Sequence, residues 1–155
     1  MAKEYKTLKT FVELPYEVAY GATFTRFFEG LKEEKIWGTK CGKCNRVLVP
    51  ARSFCPRCFV DLDEWVEVNQ TGTVETWCLV NYNYYGMAKE PPYITAIIRL
   101  EGADVGFAHF VGGFDLNDLN KVKEKVKIGA KVKAVWNKGK KGDIFDLEYF
   151  EPVEQ

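Results

Sequence analysis

Two periods of apolar spacing divide the chain. Near the start, Tyr20, Phe24, Phe27, Phe28 and Leu31 stand at i, i+4, i+7, i+8 and i+11, the stripe of one helix face, with Glu29, Lys32, Glu33 and Glu34 on the other side. Pro15 and Gly38 flank this segment, so the spacing predicts a helix over 17–35. Residues 1–14 read as a polar lead-in with room for one short helical turn. From 72 onward the period drops to two, and 72–82, 93–100, 104–113, 130–137 and 144–150 read as strands. Within 130–137, Ala130, Val132, Ala134 and Trp136 alternate with Lys131 and Lys133; within 144–150, Phe145, Leu147 and Tyr149 share one face. A second helical stretch, 115–126, carries Leu116, Leu119, Val122 and Val126 on one side, with Asp115 placed to cap it.

Three strands, a helix and two strands is the element order of an OB-fold, a small five-stranded Greek-key barrel. The helix between the third and fourth strands is the discriminating feature, since a plain sandwich does not need it. The expected fold is mainly β: a helical segment over 1–35, a cysteine-bearing unit over 36–60 and an OB-fold barrel over 61–155.

The middle unit carries the clearest chemistry. Cys41 and Cys44 form one Cys-x-x-Cys knuckle and Cys55 and Cys58 another, with Gly42 and Pro56 where tight turns accept them. Four thiolates in two tight pairs suit a tetrahedral Zn²⁺ with no open position, hence a structural ion; iron suits the same donor set. The span 45–54 has the length of a zinc-ribbon hairpin. A redox Cys-x-x-Cys belongs beside a βαβ pattern, which is missing here, and a disulfide pair belongs in a secreted chain.

Charge changes the picture by what it disfavours. Lysine plus arginine and aspartate plus glutamate number 22 each, so the net charge is zero. Dedicated nucleic-acid binders usually carry a basic excess. No apolar run has the length of a signal-peptide core or a membrane span, so a soluble, cytoplasmic protein is expected. Cys78 reads as a small buried hydrophobe, and His109, in phase with Val105, Phe107 and Val111, as a core or edge histidine. No nucleophile motif or phosphate loop is found, so no catalytic residues are assigned and the chain is not expected to be an enzyme by itself.

Binding remains. OB-folds take ligands across their second and third strands, between the first-to-second and fourth-to-fifth loops. The first of these loops carries Tyr82, Tyr84, Tyr85 and Lys89, the second Lys138, Lys140 and Lys141. Aromatic faces and lysines can stack a base and neutralise phosphate, which fits single-stranded nucleic acid and coenzyme A equally. The same residues also fit a plainer role, as β-formers at a strand end and a solvated turn. Arg52 and Arg57, with Lys40, Lys43 and Arg46, make a local basic cluster. The aromatic stripe Tyr20, Phe24, Phe27, Phe28 and Leu31 packs either on the rest of this chain or on a partner protein.

Taken together, RFFEGLKEEKIWGTKCGKC, VPARSFCPRC, TGTVETW, PPYITAIIRLEGAD and IGAKVKAVW, between about residues 15 and 152, resemble the domain of unknown function 35 family. Members join a rubredoxin-like zinc ribbon to an OB-fold and accompany thiolases and hydroxymethylglutaryl-CoA synthases, often in archaea. The resemblance implies a non-catalytic subunit that holds a thiolase or hydroxymethylglutaryl-CoA synthase-type enzyme and helps shape a shared coenzyme A or acyl-CoA site. It implies Cys41, Cys44, Cys55 and Cys58 as zinc ligands. Where the family favours Pro-Pro-Arg, this chain has Pro50-Ala51-Arg52. A single-stranded nucleic-acid module is the alternative.

Overall fold

The computed structural model describes residues 5–84, 86, 87 and 89–153. Its first element, α1 (Gly21–Lys32), starts later than the stripe predicts. A φ of +66° at Gly21, its first residue, turns the chain there, and residues 17–20 are exposed and lie outside the helix. The reason is packing: short helices form where they can bury a face, and burial in α1 is confined to Phe27, Gly30 and Leu31. The Arg26 guanidinium lies over Trp65 at 4.2 Å from the ring centroid and near Trp37 at 5.8 Å. Trp37 approaches the helix so closely that a Cβ at Gly30 would sit 2.2 Å from its Cδ1.

Next comes a three-stranded antiparallel sheet in the order β2-β1-β3, formed by β1 (Ile36–Lys40), β2 (Val47–Leu48) and β3 (Glu64–Val68). β3, which falls inside the 61–155 unit assigned to the barrel from sequence, pairs with β1 from Ile36 opposite Val68 to Lys40 opposite Glu64. The remaining strands are β4 (Thr71–Val80), β5 (Tyr93–Leu100), β6 (Gly106–Val111), β7 (Lys131–Trp136) and β8 (Leu147–Pro152). They close a barrel in the order β4-β5-β6-β8-β7, with α2 (Leu119–Lys125) between β6 and β7. This is the expected OB-fold topology.

Helix, ribbon and barrel share one core. Phe27, Leu31, Ile36 and Val68 belong to the same buried cluster as Val74, Ile98, Phe107 and Phe150. Asp104, between β5 and β6, clasps the ribbon: its Oδ2 accepts from Val47 N–H at 2.8 Å, and its own N–H donates to the Val47 carbonyl at 2.9 Å. Among the described residues, no helix is long and apolar enough to cross a membrane.

Three local expectations are corrected. Asp118, not Asp115, caps α2, accepting from the Asn120 and Lys121 N–H groups; Asp115 closes a turn on Asn117 N–H. Cys78 is exposed, because the register shift between Val74 and Thr76 flips which residues of β4 face inward. Phe145 leaves the strand face it was assigned, since Ile144–Asp146 form a 3₁₀ turn that rotates it outward while Leu147 stays buried.

Candidate metal centre and binding face

Two matching turns build the cysteine site. In each, the N–H of the first cysteine donates to the carbonyl five residues on: Cys41 to Arg46 at 2.9 Å, Cys55 to Val60 at 2.8 Å. In each, the residue four positions on returns its N–H to that cysteine's carbonyl, Asn45 to Cys41 and Phe59 to Cys55, and has a positive φ, 60° and 53°. These turns aim all four sulfurs at one point. The sulfur atoms of Cys41, Cys44, Cys55 and Cys58 lie within 4.8 Å of one another, and the Cys44 and Cys55 sulfurs are 3.9 Å apart. A tetrahedral zinc with bonds of about 2.3 Å needs sulfurs about 3.8 Å apart, so the donor set fits a structural Zn²⁺.

The electrostatics agree. Backbone N–H groups of Cys44 and Lys43 directed at the Cys41 sulfur bring its pKa down to about 7, with Cys44 the main contributor. Desolvation, followed by the crowding of neighbouring thiols, pushes Cys58 up to about 12. Several thiolates side by side are stable only around a cation. Leu48 and Leu62 pack against the buried Cys41 and Cys55 and keep water from that side.

The barrel presents a second feature. On the outer surface of β5 and β6, Tyr93 meets Phe110 edge-on at 5.5 Å, and Phe110 stacks on Phe145 at 6.5 Å. The Lys89 ammonium lies 5.1 Å from the Phe110 ring centroid. Lys89, Phe110, Asn137, Phe145 and Glu148 line a shallow cavity of about 140 Å³. Beneath it, His109 is buried, and its Nε2 lies 3.2 Å from the Ile144 carbonyl oxygen. Burial lowers its pKa to about 4, so the ring is neutral.

Of the loop residues singled out from sequence, Lys89 joins this face. Tyr82 and Tyr84 are exposed and make no ring contact with Phe110 or Phe145 among the described residues; Tyr85 lies outside them. Lys138 and Lys141 are exposed, whereas Lys140 is ion-paired with Glu34, just beyond α1, and ties that loop to the helix. In the ribbon, Lys40 pairs with Glu64 at 3.0 Å and Arg46 donates to the Asp104 carbonyl, while Arg52 and Arg57 are exposed. The helix stripe divides: Phe27 and Leu31 are buried, Phe28 is half-buried, and Tyr20 and Phe24 are exposed. Sequence reasoning passed over Tyr93, Phe110 and Phe145. The available signal was an aromatic on the outward phase of the second and third barrel strands.

Family models match two adjoining stretches: the ChsH2 rubredoxin-like zinc ribbon domain over residues 28–64, and the ChsH2 C-terminal OB-fold domain over 65–137. A DUF35 domain-containing scaffold protein of Methanocaldococcus jannaschii is 31% identical over 122 residues, covering 76% of this chain and 81% of the relative. The chain belongs to the DUF35 family. Among solved structures, a DUF35 protein of unknown function from Sulfolobus solfataricus superposes with a TM-score of 0.59 at 30% identity, covering 85% of this chain and 84% of that one. The Ltp2-ChsH2(DUF35) aldolase gives a TM-score of 0.60 at 24% identity, covering 82% and 91%, a likeness of fold. The match to the zinc ribbon domain spans all four clustered cysteines, whose donor set fits a structural Zn²⁺.

Proposed function

We propose that the chain is a non-catalytic scaffold subunit of a thiolase-type acyl-CoA enzyme complex, and that its barrel contributes one wall of an acyl-CoA site. The observation that carries this is the mismatch between the chemistry and the depth of the aromatic face. Tyr93, Phe110, Phe145 and Lys89 suit an adenine and its phosphates. A cavity of about 140 Å³ is below the several hundred Å³ that ordinarily enclose such a ligand. A second protein surface would complete the site. Support also comes from the relative named a scaffold protein and from the neighbour whose structure is an aldolase assembly.

The test is affinity purification from the source cells, identification of the co-eluting proteins, and calorimetric titration of coenzyme A into both the isolated chain and the recovered complex. Recovery of a thiolase or hydroxymethylglutaryl-CoA synthase-type enzyme, with coenzyme A binding the complex far more tightly than the chain, is the expected result. Equal affinity for both would sink the shared site. Salt-sensitive binding of a single-stranded oligonucleotide by the isolated chain, with no enzyme recovered, would favour a nucleic-acid module.

A further inference from the structure

The segment preceding α1 is the least explained part of the molecule. Residues 12–19 belong to no helix or strand and form no backbone hydrogen bond among the described residues. Over 12–20 the sequence is VELPYEVAY. Val12, Leu14, Tyr16, Val18 and Tyr20 occupy the even positions, and Glu13, Pro15, Glu17 and Ala19 the odd ones. That is the strict alternation of a strand with one apolar face. Yet all five even residues are between 48% and 82% exposed. A run of large apolar side chains left in water at β-period marks an interaction site.

We infer that residues 12–20 are a donor strand, which adds to an open sheet edge on the enzyme subunit that this chain holds. The inference rests on the scaffold reading above and names how the contact is made. Extended, the segment spans about 27 Å, longer than a typical strand. Pro15 decides which edge pairs. In a strand the N–H and C=O of one residue point to the same side, and successive residues alternate sides. Pro15 has no N–H, so the odd-numbered edge must face away from the ladder. The even residues therefore supply both the ladder hydrogen bonds and the apolar face. The partner sheet must then have one apolar side that receives Leu14, Tyr16 and Val18 and one wet side over which Glu13 and Glu17 lie. Pro15 on the outer edge ends the sheet there and blocks further addition.

A second copy of this chain is a poor acceptor. The barrel is closed and offers no edge. The ribbon sheet ends on β2, two residues long with Val47 already bonded on both sides of its peptide by Asp104, and on β3, five residues long. Neither matches nine residues. The arm's root is rigid: Tyr20 packs on Phe28 at 4.6 Å, and Phe28 on the buried Phe27 at 5.5 Å.

Residue-resolved amide hydrogen exchange on the complex recovered from the source cells, against the isolated chain, tests this. On complex formation, Leu14, Tyr16 and Val18 should gain protection while Glu13, Glu17 and Ala19 do not. In parallel, Val18→Pro should weaken the complex about tenfold more than Val18→Ala, through the lost ladder bond, whereas Ala19→Pro, on the outer edge, should stay within about twofold of wild type. Protection of both parities, protection of neither, or equal losses for the two proline variants would overturn the donor strand while leaving the scaffold role intact. Protection already present in the isolated chain would mean self-association instead. If wild type holds no thiolase-type enzyme at all, the scaffold reading fails, and this inference fails with it.

Discussion

The ring of Phe27, on α1, meets the ring of Phe107, on β6, nearly at a right angle with centroids 6.5 Å apart. Both side chains are buried, so the helix before the ribbon is keyed into the barrel beyond it. One helix face thus does two jobs, with Phe27 and Leu31 inside and Tyr20 and Phe24 outside.

That division predicts opposite behaviour of neighbouring phenylalanines. Phe27→Ala should lower unfolding free energy by about 3–5 kcal/mol, the cost of an aromatic cavity. Phe24→Ala should leave chemical denaturation nearly unchanged and, on the scaffold reading, weaken the complex. Equal stability losses for both variants would contradict the division.

Metal removal should act on the ribbon first. Zinc at such sites contributes on the order of 10–16 kcal/mol of binding free energy coupled to folding. Cys55→Ser should therefore lose the metal by elemental analysis and release amide protection over residues 41–62. Because protons compete for the thiolates, zinc retention should also fall as pH is lowered. A variant that keeps one full zinc would remove Cys55 from the ligand set.

The second knuckle carries an exposed strain. Phe59 is 83% exposed with a φ of +53°, a conformation costing a β-carbon-bearing residue roughly 1–2 kcal/mol. Its counterpart in the first knuckle is Asn45, which tolerates that region better. Phe59→Asn should stabilise the ribbon by up to about 1 kcal/mol and slow zinc loss to a chelator. An unchanged rate would show that the strain is not relieved there.

His109 gives a pH signature. Burial drops its pKa from 6.5 to about 4. Between those values the unfolded chain binds the proton and the folded one does not, so stability rises with pH across this window. The neutral-ring contribution is fully present above pH 6.5 and lost as pH falls toward 4, about 3 kcal/mol in all. His109→Phe should flatten that part of the stability curve relative to wild type, measured by denaturation at each pH.

At the barrel face, Phe110→Ala should weaken coenzyme A binding to the complex by about 1–3 kcal/mol, the worth of one stacked base. Lys140→Ala should leave ligand affinity unchanged and cost a little stability, because Lys140 is engaged with Glu34. The reverse outcome would place the ligand on the lysines at 138–141 and not on the Phe110 face.

Much of this protein is legible in its residues alone. Cys-x-x-Cys spacing depends on local turns, which is why two knuckles could be read as one metal site before any fold was known. Strict alternation in YITAIIRL places β5 at Tyr93–Leu100, as expected, because a half-buried strand imposes its period directly on the side chains. The order of strands and helix likewise identified the barrel.

What the tertiary structure decided is everything that depends on where one element meets another. A register shift turned Cys78 outward, a 3₁₀ turn swung Phe145 onto Phe110, and pairing with β1 drew Glu64–Val68 into the ribbon sheet. The stripe on α1 could be read, but only the position of Phe107 determined which of its rings would be buried. Residues 1–14 read as a polar lead-in because lysines and glutamates are interspersed among their aromatics, and 17–20 read as the first turn of the helix. That Val12, Leu14, Tyr16 and Val18 stay exposed is a fact about the rest of the molecule, none of whose elements packs over them. Period is a local property of a chain; burial is settled by its neighbours.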